Sequence, residues 1–329
     1  MKADTFVKRA LRAVGDNSCI LGLVFMLVIA TLINPLFMTA GNISNVLRQM
    51  STNSMIALGM AVVIISGSID LSVGSMYCLC ATVALYFSQY SLLLGIVMTL
   101  LISVAIGAVN GLLIVKMRIH PWIATLSMML ALRGLVLIIS GENTYRPEIT
   151  NDLFIAISRS SFLGVLNLPI IIMLAFTAIT YLLMKYTGTG RNIYARGGNL
   201  EAARMMGVRT DNTVLIAHMY SGLTTGVAAI ILASRIGSMS PLAGDGGEMY
   251  AIAACVVGGV HLAGGRGKIP NVLVGAAIIG LMTNVFNMQD ALSTFWESVI
   301  TGALVLAVVL IQQITALREE HKKKVSEAI

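Results

Sequence analysis

Apolar residues along the chain gather in ten runs that charged, glycine or proline residues separate. The runs lie near residues 20–38, 54–68, 71–88, 92–115, 121–140, 168–185, 213–234, 248–262, 269–287 and 293–315. Most of them approach the ~20 residues that a helix needs to cross the hydrocarbon layer of a bilayer. The pattern therefore predicts an all-α polytopic membrane protein with about ten transmembrane helices.

The composition leaves little room for a soluble domain. Of 329 residues, 57% are apolar, 22 are basic and 15 are acidic, and the longest gap between runs spans only residues 141–167. The Gly267-Lys268 pair is followed by Ile269, so the chain has no P-loop for ATP hydrolysis. The four cysteines lie in or beside apolar runs with no Cys-x-x-Cys pair, and the four histidines are far apart in sequence, so we expect neither disulfides nor a metal site. We therefore expect no catalytic residue, no enzyme activity and no cofactor bound by this chain.

Basic residues indicate how the chain is oriented. Ten spans put both termini on one side, and 17 of the 22 basic residues then lie on that side. The positive-inside rule makes this side the cytoplasm, so the net charge of +7 indicates cytoplasmic loops and no binding of nucleic acid. We expect cytoplasmic tails at residues 1–17 and 316–329 around one transmembrane domain at 18–315, with a cytoplasmic loop at 186–212. The first run is expected to be a signal anchor.

Two runs are interrupted by small and polar residues. Residues 66–75 read SGSIDLSVGS and residues 257–267 read VGGVHLAGGRG. Unwound backbone at membrane depth survives only where protein or water satisfies it, and transporters build pathways from such breaks. Similar residues recur 194 positions apart, either from an internal repeat or by chance: Met55, Ala57, Val62 and Val63 return as Met249, Ala251, Val256 and Val257.

Polar side chains within or at the ends of the runs are candidates for a pathway or gate. Asp70 either caps the restarting third helix or takes part in gating or ion pairing. The asparagines either form hydrogen bonds between helices or contact a substrate. The candidates are Asp70, Ser72, Asn110, Arg133, Glu248, Asn284, Asn287 and Glu297.

The loop after the sixth run contains sequence signals for the start and the end of a short helix. Asn199 suits an N-cap, Glu201 suits the first turn, and Gly207 suits a C-terminal stop. Two turns of helix are not stable alone in water. This helix therefore either docks on a partner or lies as a surface turn along the membrane.

Three stretches resemble motifs of one family in the family's order. Gly197-Gly198-Asn199-Leu200-Glu201-Ala202-Ala203-Arg204, followed by Gly207, resembles the EAA-type coupling loop of bacterial ABC import permeases. Residues 66–75 resemble the SGGIDLSVGS signature of ribose-type sugar permeases, and residues 248–267 resemble their ELDAIAAVVLGGTSLAGG stretch. Ser68 replaces the second glycine and Tyr250 replaces an acidic residue. The resemblance covers residues 18 to about 315.

The resemblance implies a type II ABC importer permease in the bacterial cytoplasmic (inner) membrane. It implies cytoplasmic ATPase subunits that bind ATP and Mg, an extracytoplasmic sugar-binding protein, and a second permease subunit in a homodimer or heterodimer. A monosaccharide such as a ribose-like pentose or a hexose is the implied cargo. Autoinducer-2, a nucleoside or a branched-chain amino acid are the rival cargoes. A stand-alone secondary carrier is the alternative from a different class.

Overall fold

A computed structural model describes residues 18–147, 152–162, 166–289 and 295–327. Apart from two short strands, the elements are helices. In chain order they are α1 (Ser18–Ile33), a 3-10 turn (Pro35–Met38), α2 (Ala40–Ile65), α3 (Val73–Ser88), α4 (Leu92–Lys116), α5 (Pro121–Ser140), α6 (Asp152–Arg159), β1 (Ser161–Phe162), β2 (Leu166–Asn167), α7 (Leu168–Tyr186), α8 (Gly188–Gly198), α9 (Leu200–Met205), α10 (Thr210–Ile236), α11 (Gly247–Val257), α12 (Ile269–Asn287) and α13 (Phe295–Glu327). The two strands pair antiparallel.

Five of the described helices are long and apolar enough to cross a membrane, namely α4, α5, α7, α10 and α12. Shorter apolar segments of 10–17 residues lie in α1, α3, α11 and α13. Helix α2 has 26 residues, but its first half carries Asn42, Asn45 and Arg48, which lower its mean hydropathy. The helical class that the sequence predicts is therefore confirmed, and five described helices have the length and composition of membrane spans.

Some predicted boundaries are wrong, and the errors have a common cause. Helix α2 begins at Ala40, where the Thr39 hydroxyl accepts a 3.4 Å hydrogen bond from the Asn42 N–H, and not near residue 54. Helix α11 ends at Val257 and not near residue 262, whereas α13 continues to Glu327. Apolar runs predict which residues contact lipid, whereas capping residues and glycines determine where a helix begins and ends.

Helix α10 lies at the centre of the packing, between α4, α2 and α3. Small residues allow this: a Cβ at Gly107 of α4 would collide with the carbonyl of His218, and a Cβ at Gly222 of α10 would collide with the carbonyl of Ser103. Close approach of two backbones is the usual reason for glycine at a membrane helix interface. Helices α4, α5 and α7 are the least buried of the five, with 22–28% of an apolar 18-residue window buried, as expected of helices that face lipid.

The gap at residues 141–167 contains structure of its own. Helix α6 buries Phe154 completely, and the Ser158 hydroxyl donates a 2.8 Å hydrogen bond to the carbonyl of Ile231 in α10. Helix α6 therefore packs against the end of α10 that contains Ile231.

Candidate functional site

The first break begins where α2 ends in a glycine-terminated turn. Gly67 has a φ of 76°, the left-handed conformation that glycine adopts without a steric penalty. The N–H groups of Gly67 and Ser68 donate to the carbonyls of Ile64 (2.8 Å) and Val63 (3.1 Å). This is the Schellman pattern, which satisfies the last carbonyls of a helix. Unwound backbone can thus begin within the protein without orphaned groups.

The second break repeats this ending. Gly259 has a φ of 82°, and its N–H donates to Val256 (2.9 Å) while the N–H of Val260 donates to Cys255 (2.9 Å). The equivalent ends, Ile65 and Val257, are 192 residues apart, two fewer than the spacing at which the sequence recurs. A glycine in the left-handed conformation determines where each helix ends. The spacing of the recurring apolar residues therefore differs from the spacing of the two helix ends.

The predicted helix in the loop at 186–212 is present as α9. The Asn199 side chain accepts a 3.0 Å hydrogen bond from the Ala202 N–H, so Asn199 is the N-cap as predicted. Glu201 lies in the first turn, 3.5 Å from Arg204. The chain leaves the helix at Gly207, whose φ is 78°. Ala202 and Ala203 lie within this helix, which ends at Met205.

A second helix, α8, precedes α9, and sequence reasoning missed it. Its four glycines are poor helix formers, which hid it. Thr187 caps its start by accepting a 3.2 Å hydrogen bond from the Gly190 N–H. The available signal was Thr187 itself, because threonine is a favoured residue type at a helix N-cap.

The end of α8 lies between the two breaks. The Arg196 guanidinium donates to the Ser66 carbonyl, and the Gly265 N–H donates to the Ile65 carbonyl (2.9 Å). Tyr194 donates from its hydroxyl to the Gly267 carbonyl (2.8 Å). We call the meeting point of residues 65–67, 194–198 and 264–267 the glycine junction. All three motifs that stood out in the sequence meet there.

Glycines make the junction possible. A Cβ at Gly197 would overlap the carbonyl of Ile65, and a Cβ at Gly264 would lie 2.9 Å from the Gly67 Cα. Burial lowers the pKa of the Arg196 guanidinium and raises the pKa of the Tyr194 hydroxyl. Arginine still keeps its charge, and its hydrogen bond to Ser66 compensates part of the lost hydration. A displacement of α8 would therefore act on both breaks.

Asp70 is buried in the first break and is surrounded by hydrogen-bond donors. Its Oδ1 accepts from the Ser72 N–H (3.1 Å) and the Ser72 hydroxyl (2.6 Å), and the Asn110 amide lies 3.5 Å away. Its Oδ2 accepts from the Ser221 hydroxyl (3.0 Å), and His218 Nδ1 is 3.7 Å away. Such a donor set matches an ionised carboxylate, which can only accept.

Both sequence interpretations of Asp70 have a structural basis. It receives an N–H from the turn that restarts the helix, although Ser72 occupies the N-cap position of α3. It also faces His218, which sequence reasoning did not connect with it. His218 and Ser221 are three residues apart, a spacing that puts them on one face of α10 but does not identify Asp70 as their partner.

Ser68 contributes to the same cluster. Its hydroxyl lies 2.9 Å from His218 Nε2, and both side chains are buried. This serine stands where the resemblance expects glycine. The departure therefore adds a hydrogen bond that ties the first break to α10.

Arg133 holds the segment before α11. It donates to the carbonyls of Pro241 (2.7 Å) and Ala243 (3.1 Å) and lies 3.5 Å from the Asp245 carboxylate. Glu248 is buried in the first turn of α11. Arg133 therefore positions the backbone that leads into the helix where Glu248 lies.

The remaining candidates separate into different roles. Asn284 exchanges two 3.0 Å hydrogen bonds with Asn42, so it joins α12 to α2 as one reading of the asparagines predicts. Asn110 joins α4 to the first break through a 2.8 Å hydrogen bond to Ser72. Glu297 belongs to α13, but its side chain lies outside the described residues.

Asn287 lines a cavity of about 390 Å³ bounded by α2, α3, α10, α11 and α12. The volume lies within the ~300–1,000 Å³ range of small-molecule sites. Its polar lining includes Gln49, Asn53, Tyr77, Asp245, Tyr250 and Asn287. Tyr250, the second departure from the family motif, therefore lies where a ligand could contact it. Amide and phenol groups suit a neutral ligand that carries hydroxyls.

Comparison with known proteins places the chain in a family. Residues 42–309 match the family described as branched-chain amino acid transport system / permease component. The chain belongs to this family. With its membrane-length helices, this permease is an integral membrane protein.

Curated relatives match this permease over most of its length. The ribose import permease protein RbsC of Bacillus subtilis (strain 168) is 39% identical over 295 residues, which cover 89% of this chain and 91% of that protein. RbsC of Escherichia coli (strain K12) is 36% identical over 300 residues, covering 90% and 93%. The xylose transport system permease protein XylH of the same strain is 34% identical over 343 aligned positions, covering 86% and 87%. No solved structure gives a significant match.

Proposed function

We propose that this permease is the membrane-spanning subunit of a binding-protein-dependent ABC importer that moves a monosaccharide into the cytoplasm. The glycine junction carries the proposal, because it joins the loop resembling a coupling loop to both breaks. Relatives named for ribose and xylose support a ribose-like pentose or a hexose as cargo. The polar cavity beside Tyr250 suits a hydroxylated ligand.

Energy would come from separate cytoplasmic ATPase subunits that bind ATP and Mg, and this chain would bind no cofactor. Met205 and Met206 at the end of α9 support a protein partner, since they are 88% and 84% exposed on a polar segment. Adjacent exposed apolar side chains outside the lipid-facing surface are typical of interaction sites. Two turns of α9 would gain stability by docking.

The proposal includes an arrangement in the membrane. Ten spans with both termini in the cytoplasm would put α8 and α9 against the ATPase, in a bacterial inner membrane. A sugar-binding protein would dock on the opposite face, and a second permease subunit, identical or not, would complete the pathway. Autoinducer-2, nucleosides and branched-chain amino acids are less favoured cargoes than the sugars of the named relatives.

A stand-alone carrier is the less favoured alternative. Ion coupling needs an acidic group that can exchange its ion during transport. Asp70 is held instead by hydrogen bonds from Ser72 and Ser221 within the protein. In the proposed mechanism ATP binding moves α8, and the glycine junction passes that displacement to both breaks, which alternate between two states.

Uptake in proteoliposomes tests the proposal. With its ATPase and binding protein, the permease should accumulate radiolabelled ribose or xylose only when ATP and Mg are supplied on the ATPase side. Omission of the ATPase should remove uptake. Uptake driven by an ion gradient without the ATPase would instead establish a carrier, and uptake confined to leucine would overturn the sugar assignment.

The partner surface makes a separate prediction. Met205→Ser with Met206→Ser should reduce copurification of the ATPase at least tenfold, because the apolar contact is lost while the helix end is solvent-exposed and keeps its fold. Pull-down from detergent extracts measures this. Met117→Ser, 70% exposed in the turn between α4 and α5, is the matched control and should leave copurification unchanged. Equal recovery in the double variant would contradict an ATPase contact at α9.

A further inference from the structure

A second cavity, of about 600 Å³, lies beside the start of α8 and away from the polar cavity. It lies between the end of α7, the first turns of α8 and the start of α12. Its lining combines three cations with aromatic and apolar side chains. They include Tyr181, Lys185, Arg191, Tyr194, Lys268 and Ile269, and we call the cavity the basic pocket.

Among the described residues, no carboxylate pairs with the cations of the basic pocket. No ion pair there joins Lys185, Arg191 or Lys268 to an acidic side chain. Lys185 donates to the Tyr181 hydroxyl (2.6 Å) and lies over the rings of Tyr181 and Tyr186 at 5.0 and 5.2 Å. Three positive charges at one cavity favour an anion as occupant.

The pocket also adjoins an exposed apolar surface. Helix α7 exposes Ile171, Leu174, Ile179 and Leu182 by 46% to 53%, and Tyr186 at its end by 62%. Acyl chains are the natural neighbours of such a row in a membrane helix. An anion that reaches the cations from this surface must carry an apolar tail, which a free phosphate lacks.

We propose that the basic pocket binds the phosphate-bearing headgroup of an anionic phospholipid, with its acyl chains along α7. Basic pockets between membrane helices on the cytoplasmic side are a known means of holding such headgroups. The assignment to the cytoplasmic leaflet rests on the proposed function, which gives the chain its orientation. The binding itself does not depend on which cargo is transported.

The bound lipid would stabilise the glycine junction. Tyr194 lines the pocket and donates to the Gly267 carbonyl, and Lys268 follows directly in the chain. A headgroup held by Arg191 and Lys268 would therefore join the first turns of α8 to the segment after the second break. The ATP-driven uptake should consequently depend on the anionic lipid content of the membrane.

Lipid binding to the full chain tests the inference. Native mass spectrometry of the permease titrated with phosphatidylglycerol or phosphatidylcholine should show preferential binding of the anionic lipid. Arg191→Gln with Lys268→Gln should weaken phosphatidylglycerol binding at least tenfold and leave phosphatidylcholine binding unchanged. The charge-matched control, Lys116→Gln with Arg118→Gln, removes two exposed cations of the α4–α5 turn and should have no effect.

Further measurements separate the possible outcomes. Arg191→Lys with Lys268→Arg keeps the charges and should retain binding. For the unmodified chain, raising NaCl from about 0.05 to 0.5 M should reduce the preference, because salt screens the cations. Equal weakening by the control pair, no preference for the anionic lipid, or displacement of lipid by millimolar inorganic phosphate would overturn the proposal. Loss of lipid binding with sugar uptake intact would leave the proposed function standing.

Discussion

Replacement of Gly197 by alanine should abolish ATP-driven uptake while the chain still inserts into the membrane. A Cβ at this position would overlap the carbonyl oxygen of Ile65 and lie 2.6 Å from the Gly265 nitrogen. Both contacts are with backbone, which cannot rotate away as a side chain can. Overpacking of this kind costs about 1–3 kcal/mol. If α8 leaves the glycine junction to relieve this overpacking, the fraction of molecules with α8 packed in the junction falls roughly 5- to 150-fold.

The neighbouring glycine provides the control. A Cβ at Gly198 would meet no atom within 4 Å, so Gly198→Ala should leave uptake intact. Alanine favours a helix over glycine by up to about 1 kcal/mol, which does not disturb the contact. Initial uptake rates are compared at equal amounts of permease in the membrane. Equal rates for the two variants would show that the contact between Gly197 and Ile65 does not transmit the ATPase displacement.

Local features of this site could be predicted from the sequence, whereas contacts across the chain could not. Asn199 and Gly207 were identifiable because a cap depends on residues within one turn of it. Helices α5 and α12 also agree with their apolar runs at 121–140 and 269–287. In each case the information lies within the segment itself.

Interactions between distant segments escaped prediction for physical reasons. His218 and Ser221 reach Asp70 only because small residues let α10 approach the first break, and nothing in the α10 sequence specifies that partner. The first half of α2 is polar and only partly buried, so hydropathy did not register it as part of the helix. Hydropathy reports the apolar content of a segment, and a helix whose first turns are polar is recognised only from its apolar part.

The donors around Asp70 predict the second large effect. Asp70→Asn should destabilise the permease by about 2–4 kcal/mol, because hydrogen bonds to a charged group contribute about 1.5–3 kcal/mol and those to a neutral group about 0.5–1.5. The asparagine amide has the shape of the carboxylate, but its NH2 group replaces one accepting oxygen. That NH2 group would face hydrogen-bond donors, either at Ser72 or at Ser221 and His218. The apparent melting temperature in detergent and the folded amount in membranes measure the loss.

Ser75→Ala is the matched control for this experiment. Ser75 is also buried in α3, and its hydroxyl has no partner among the described residues, so its removal should cost little or raise the melting temperature slightly. His218→Gln then distinguishes the two roles of Asp70. If the carboxylate and the imidazole stabilise each other, the double variant should lose less than the sum of the single losses. Additive losses, with Asp70→Asn near the control, would limit the role of Asp70 to accepting the two hydrogen bonds from Ser72.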